Sequence, residues 1–158
     1  MTAQQPPGHR SGAFRARRLA DLAQVQAQMG ALAADAGLHA DERFALRLAL
    51  EEAFVNVYKH GYGGGEGPLT VELDVGAGQV TLTLEDQAPP FDPATVAQPV
   101  LDAAWDQRPV GGLGWHLIRQ LMDRVEHRRG PAGGNLLILT KTLGAPGTGH
   151  PSEIGALR

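Results

Sequence analysis

The stretch "LALEEAFVNVYKHG", Leu48–Gly61, is apolar almost throughout, yet it carries Glu52, Asn56 and His60 at intervals of four. On an α-helix that interval stacks side chains on one face, about 40° apart from one to the next. Ala45 and Leu48 fall on the same face, so the polar groups project from a hydrophobic stripe. A buried carboxylate is costly unless a structural partner or a ligand compensates it. Taken alone, the pattern fits equally a helix whose polar residues meet solvent at an edge.

Working outward, the helix opens near "HADE", with Asp41 as its cap, and "GYGGGEGP" breaks the chain after Gly61. Upstream, residues 19–36 repeat apolar positions at Leu22, Val25, Met29 and Leu32 and stop at Gly37, which predicts a first helix. A short strand is expected before it at "AFRAR". Downstream, "LTVELDV" and "QVTLTLED" alternate apolar and polar residues around "GAG" and read as a hairpin. The paired prolines of "QAPPFDP" end the second strand, because proline lacks a ladder donor. Residues 91–110 are irregular, with a short helix expected near "PATVAQPVLDAA". "GGLG" then feeds a helix, "WHLIRQLMD", and strands at about 125–129 and 136–142 close the domain. Consecutive hairpins without regular β-α-β alternation predict an α+β fold, with helices on one face of a mixed, mostly antiparallel sheet. Residues 1–12 read as a disordered leader, 13–143 as the folded domain and 144–158 as a disordered tail.

Three constellations stand at element ends. The first is the helix face just described. An amide oxygen such as that of Asn56 suits a hard cation like Mg²⁺, which takes only one or two protein ligands beside water and phosphate. Glu52, one turn earlier, can accept a proton from a hydroxyl or water. Lys59 and His60 either assist a phosphate or cap the helix. The second is Asp86 in "LEDQAPPFDP", whose carboxylate can accept a hydrogen bond from an exocyclic amine such as that of adenine; a turn-starting aspartate reads the same way. The third is "GGLGWHL". Gly111, Gly112, Leu113 and Gly114 lead into a helix whose backbone N–H groups and dipole can receive phosphate oxygens. This loop lacks the third glycine of G-x-G-x-x-G and the G-K-[ST] ending, so the Rossmann and P-loop readings fail. Trp115 reads as packing at the helix start.

Composition narrows the class. The 158 residues suffice for one domain, burying roughly 68–70% of the unfolded surface. A hydrophobic fraction of 42% and a charged fraction of 20% describe an ordinary globular chain, and a net charge of -3 gives no global reason to expect nucleic acid or an anionic membrane as partner. The absence of cysteine excludes disulfides and thiolate metal sites. The polar N-terminus has no signal-peptide h-region and no stretch is long enough to span a membrane, so a cytoplasmic protein is expected.

In combination and in this order, E-x-x-x-N-x-x-x-H on a helix, a strand ending in Asp, an intervening segment and "GLG" entering a helix resemble the histidine-kinase-like ATPase superfamily of gyrase, MutL and sensor histidine kinases. The likeness covers about residues 14–143 and is greatest to the anti-sigma-factor serine kinases of the RsbW and SpoIIAB type. The resemblance implies a Bergerat-type two-layer sandwich that binds ATP or ADP. It implies Asn56 as the Mg²⁺ ligand, Glu52 as general base and Asp86 as the adenine contact. It further implies that the glycines around 111–114 close over the triphosphate and that Thr140, in the final strand, lies near the adenine. Arg108 either reaches the γ-phosphate or is a solvated arginine. Ala88 stands where the family's D-x-G motif has glycine, a departure that bears on the adenine pocket. The implied activity is phosphorylation of a STAS-domain anti-sigma-factor antagonist, with sequestration of a sigma factor in many members and frequent homodimers. A sensor histidine kinase is disfavoured, because no phosphoacceptor helical hairpin fits in the chain. A non-catalytic module whose nucleotide only sets partner affinity is the alternative, and Glu52 discriminates, since a pure switch needs no base.

Overall fold

The computed structural model describes residues 9–76, 78–90 and 112–144. The chain opens with β1 (Arg10–Ala16), a single 3₁₀ turn at Leu19–Asp21 and α1 (Leu22–Asp35). The strand begins at Arg10, inside the stretch 1–12 that the sequence reads as a leader. Val25, Met29 and Ala33, spaced by four, are the buried positions of α1. It stops at Gly37, whose φ of 83° is the left-handed conformation that ends helices and suits a residue without Cβ.

α2 (Ala40–Val55), with His39 at its N-cap, starts two positions earlier than the Asp41 cap predicts. The reason is Glu42, whose carboxylate accepts the His39 N–H at 2.9 Å and so makes His39 the boundary. Ala45, Leu46, Ala49, Leu50, Ala53 and Phe54 of α2 are buried. From Asn56 to Gly61 the helix continues as a wider π turn, with the Tyr62 N–H reaching back five residues to the Val57 carbonyl at 2.8 Å.

β2 (Leu69–Gly76) and β3 (Gln79–Asp86) form the expected hairpin, with Gly78 at a φ of 78° in its turn. α3 (Gly112–Leu121) follows, then β4 (Arg124–Arg129) and β5 (Asn135–Thr142). The strand order is β1-β2-β3-β5-β4, and every pairing among the described residues is antiparallel, so no parallel component of a mixed sheet is present there. Period-two alternation buries Leu69, Val71, Leu73 and Val75 of β2, Val80, Leu82 and Leu84 of β3, and Leu137 and Leu139 of β5 on one face.

The helices cover that face. Trp115, Ile118 and Met122, spaced by three and four along and just beyond α3, join Phe54, Leu50 and Met29 in the same core. Each fully buried leucine or phenylalanine contributes about 1.5–3 kcal/mol. The opposite face carries Glu72, Asp74, Thr81, Thr83 and Thr140. The result is the two-layer α+β sandwich expected, with the C-terminal end of α2, the end of β3 and the start of α3 at one rim. The short helix expected near "PATVAQPVLDAA", Arg108 and Gly111 lie outside the described residues. No helix among the described residues is long and apolar enough to cross a membrane.

Candidate functional site

At that rim lies a cavity of about 320 Å³. Its helical wall is Ala53, Asn56, Val57, His60 and Gly61, the end of α2 and its π turn. Leu84 and Asp86 from β3 and Leu137 from β5 form the floor, and the Pro89–Pro90 turn and Trp115 flank it. Trp115 therefore packs, as its sequence position suggests, and also lines the cavity.

Asp86 is only 5% exposed. Its Oδ1 accepts the Ala88 N–H at 2.9 Å and the Asn135 side-chain amide at 3.0 Å. Both of these bonds fall on Oδ1, and the second carboxylate oxygen, Oδ2, has acceptor capacity of its own. Tyr62 fastens this corner: its hydroxyl accepts the Gln87 N–H at 2.8 Å and donates to the Pro68 carbonyl at 2.6 Å. Burial raises the Tyr62 phenol above its ordinary pKa.

Asn56 stands at the junction of α2 and its π turn, and its side-chain nitrogen is buried without a hydrogen-bond partner among the described residues. An orphaned polar atom of this kind costs about 1–3 kcal/mol, so a polar partner there would be stabilising. Glu52, one turn back, is half-buried; burial, and secondarily the neighbouring Glu51 charge, raise its pKa above the ordinary carboxylate range. Its Oε2 lies so near Gly114 that a Cβ there would stand 2.6 Å away, and 3.8 Å from the Asn56 amide nitrogen. Glu52, Asn56 and Gly114 thus meet where the start of α3 crosses α2. "GLG" proves to be the first turn of α3 and not a loop before it, with Gly112 and Leu113 contributing backbone to that turn.

Ala88 takes the place of the motif's glycine without distortion. No non-glycine residue described has positive φ, and the Ala88 methyl is buried against Gly61. Thr140 is a correction. It pairs with Thr81 and Arg124, and strand alternation turns it to the face away from Asn135, Leu137 and Leu139 and from the cavity. The residue of β5 that meets Asp86 is Asn135, its register partner. Sequence reading missed Asn135 and His127, although counting by twos back from the buried Leu139 and Leu137 reaches Asn135.

The sequence matches the family "Histidine kinase-like ATPase domain" over residues 15–141. The chain belongs to this family. It is 30% identical over 121 residues to the serine-protein kinase RsbW of Bacillus pumilus, covering 69% of this chain and 70% of that one. It is 31% identical over 100 residues to the serine/threonine-protein kinase BtrW of Bordetella bronchiseptica, covering 62% and 69%. It is 24% identical over 100 residues to an anti-sigma F factor of a Thermoanaerobacter species, covering 63% and 70%. The crystal structure of the RsbU and RsbW domains of Rv1364c from Mycobacterium tuberculosis shares the fold, with a TM-score of 0.58 at 18% identity. That likeness covers 85% of this chain and 33% of the other.

Proposed function

We propose that the chain binds ATP with Mg²⁺ and transfers its γ-phosphoryl group to a serine or threonine of a protein partner, as an anti-sigma factor acting on a STAS-domain antagonist. The observation that carries the reading is one rim whose cavity is lined both by a buried carboxylate, Asp86, and by a helix end, Asn56, whose side-chain nitrogen is buried with no hydrogen-bond partner among the described residues. A raised-pKa carboxylate, Glu52, stands one turn from that amide.

The donor set fits the proposed metal. Among the described residues no group of three His, Cys, Asp or Glu side chains could hold an ion, whereas Mg²⁺ uses one or two protein oxygens and takes the rest from water and phosphate. Asn56 is the residue that would hold it, with the amide turned so that its carbonyl oxygen, and not the orphaned nitrogen, faces the ion. When bound, Mg²⁺ supplies charge neutralisation at the phosphate oxygens.

The chain's own residues do the remainder. Asp86 Oδ2 accepts the adenine amine in a charge-assisted bond and so orients the nucleotide. The α3 N-terminus presents backbone N–H groups to phosphate. Glu52 accepts the hydroxyl proton of the partner's side chain as the oxygen attacks phosphorus; its raised pKa brings it nearer to working pH, where a base is most effective. The names of the relatives, serine-protein kinase and anti-sigma factor, support this assignment.

Calorimetry of the full chain tests the nucleotide and metal. ATP should bind in the presence of Mg²⁺ and lose most of its affinity with EDTA, and Asn56→Ala should bind weakly and equally under both conditions. Absence of binding by the parent chain, or an Asn56→Ala variant with parental metal dependence, would overturn the assignment.

A further inference from the structure

We propose that His127 and Asn135 set the base specificity of the cavity, by holding Asp86 as a one-oxygen acceptor. The proposal rests on the nucleotide-binding reading above and assigns residues that reading does not use.

Asn135 opens β5 and is 7% exposed. Its side-chain nitrogen lies 3.0 Å from Asp86 Oδ1, 3.0 Å from the Pro89 carbonyl oxygen and 3.4 Å from that of Ala88. All three neighbours are acceptors. The NH₂ group must face them, because the reversed amide would set its own carbonyl against a carboxylate and two carbonyls. Asn135 Oδ1 consequently points to His127, whose Nε2 lies 3.0 Å away on β4. For that contact to be a hydrogen bond Nε2 must carry the proton. The amide orientation and the histidine tautomer therefore fix each other.

The consequence reaches the ligand through Asp86. Asn135 and the Ala88 N–H occupy Oδ1, and the same amide pins the Pro89 carbonyl, so the carboxylate and the diproline turn are one rigid corner. Oδ2 then offers acceptor capacity only, at a fixed place. A base bearing an exocyclic amine there makes a charge-assisted bond. A base bearing a carbonyl there meets a second acceptor and leaves the buried carboxylate unpaired, so guanine is disfavoured by repulsion as well as by the missing bond. His127, which itself lines the cavity, acts through Asn135 as a positioning residue.

Two variants separate this role from packing. His127→Leu removes the donor, so Asn135 loses its fixed orientation and Asp86 its fixed rotamer. The affinity for ATP should fall about tenfold and the preference for ATP over GTP should narrow by a similar factor, the size expected for one hydrogen bond to a charged group. His127→Gln places an amide N–H where Nε2 stood and should restore both. Dissociation constants for ATP and GTP, with a thermal melt of each variant, give the readout. A His127→Leu variant with the parental ATP-to-GTP ratio overturns the proposal. So does one that weakens both nucleotides equally and is not rescued by glutamine, because that pattern belongs to lost packing. If the parent binds neither nucleotide, the nucleotide reading itself falls; a parent that binds ATP with no preference over GTP overturns only the role of His127 and Asn135.

Discussion

The methyl group of Ala88 fills space left by Gly61: a Cβ built on Gly61 would stand 3.0 Å from the Ala88 Cβ. The contact joins the π turn that ends α2, where Gly61 lines the cavity, to the segment just after β3 and its terminal Asp86. This contact explains how the chain carries alanine where the family motif has glycine. The extra methyl is accommodated by a glycine across the cavity wall, without backbone strain.

Gly61→Ala should therefore overpack this contact and destabilise the fold by about 1–3 kcal/mol. Ala88→Gly in the same chain should recover most of the loss. Denaturant melts of the two single variants and the double variant form the cycle that measures it. Additive effects would show that the two residues do not press on each other.

Gly114→Ala should act on chemistry and spare stability. The added methyl would meet Glu52 Oε2, the free end of a side chain that can swing away cheaply, and alanine favours a helix over glycine. The melting temperature should hold or rise. Phosphoryl transfer should drop by about 10²-fold, the cost of a base displaced by roughly an ångström. Parental transfer rates would show that Glu52 need not stand against α3.

Glu52 also makes stability depend on pH in a defined direction. Its folded-state pKa is raised, chiefly by burial, so the folded chain binds the proton more tightly than the unfolded chain does. The charged form consequently costs stability at neutral pH, and that cost disappears as pH falls through the raised value and below the ordinary one of about 4.3. Glu52→Gln should melt higher than the parent at pH 7, with the gap closing near pH 4. A gap that widens on acidification would contradict the burial of Glu52.

Much of this was legible in the sequence because it rests on periodicity. The four-residue spacing of Glu52 and Asn56, the alternation in β2 and β3 and the stop at Gly37 each follow from local geometry, and the structure reproduces them. The placement of Thr140 did not follow, because nearness along a strand is not nearness on a face. Counting by twos from Leu137 and Leu139 leads to Asn135 and away from Thr140. His127 and Tyr62 escaped notice for a different reason. His127 meets Asn135 across the β4–β5 pair, and Tyr62 meets Gln87 25 residues on, and no helical or strand periodicity marks such side-chain pairs. The cap at His39 depended on which carboxylate turned back to the chain, and Glu42 does so.

The central claim is phosphoryl transfer, and the most direct measurement is label from [γ-³²P]ATP on a STAS-domain protein that co-purifies with the full chain, in the presence of Mg²⁺. The account predicts label on a serine or threonine of that partner. It also predicts that Glu52→Gln slows labelling by roughly 10²–10⁴-fold while nucleotide and partner binding stay near parental. A parent chain that binds both ATP and the partner yet transfers no label would contradict it, and would leave a nucleotide-controlled binding module in its place.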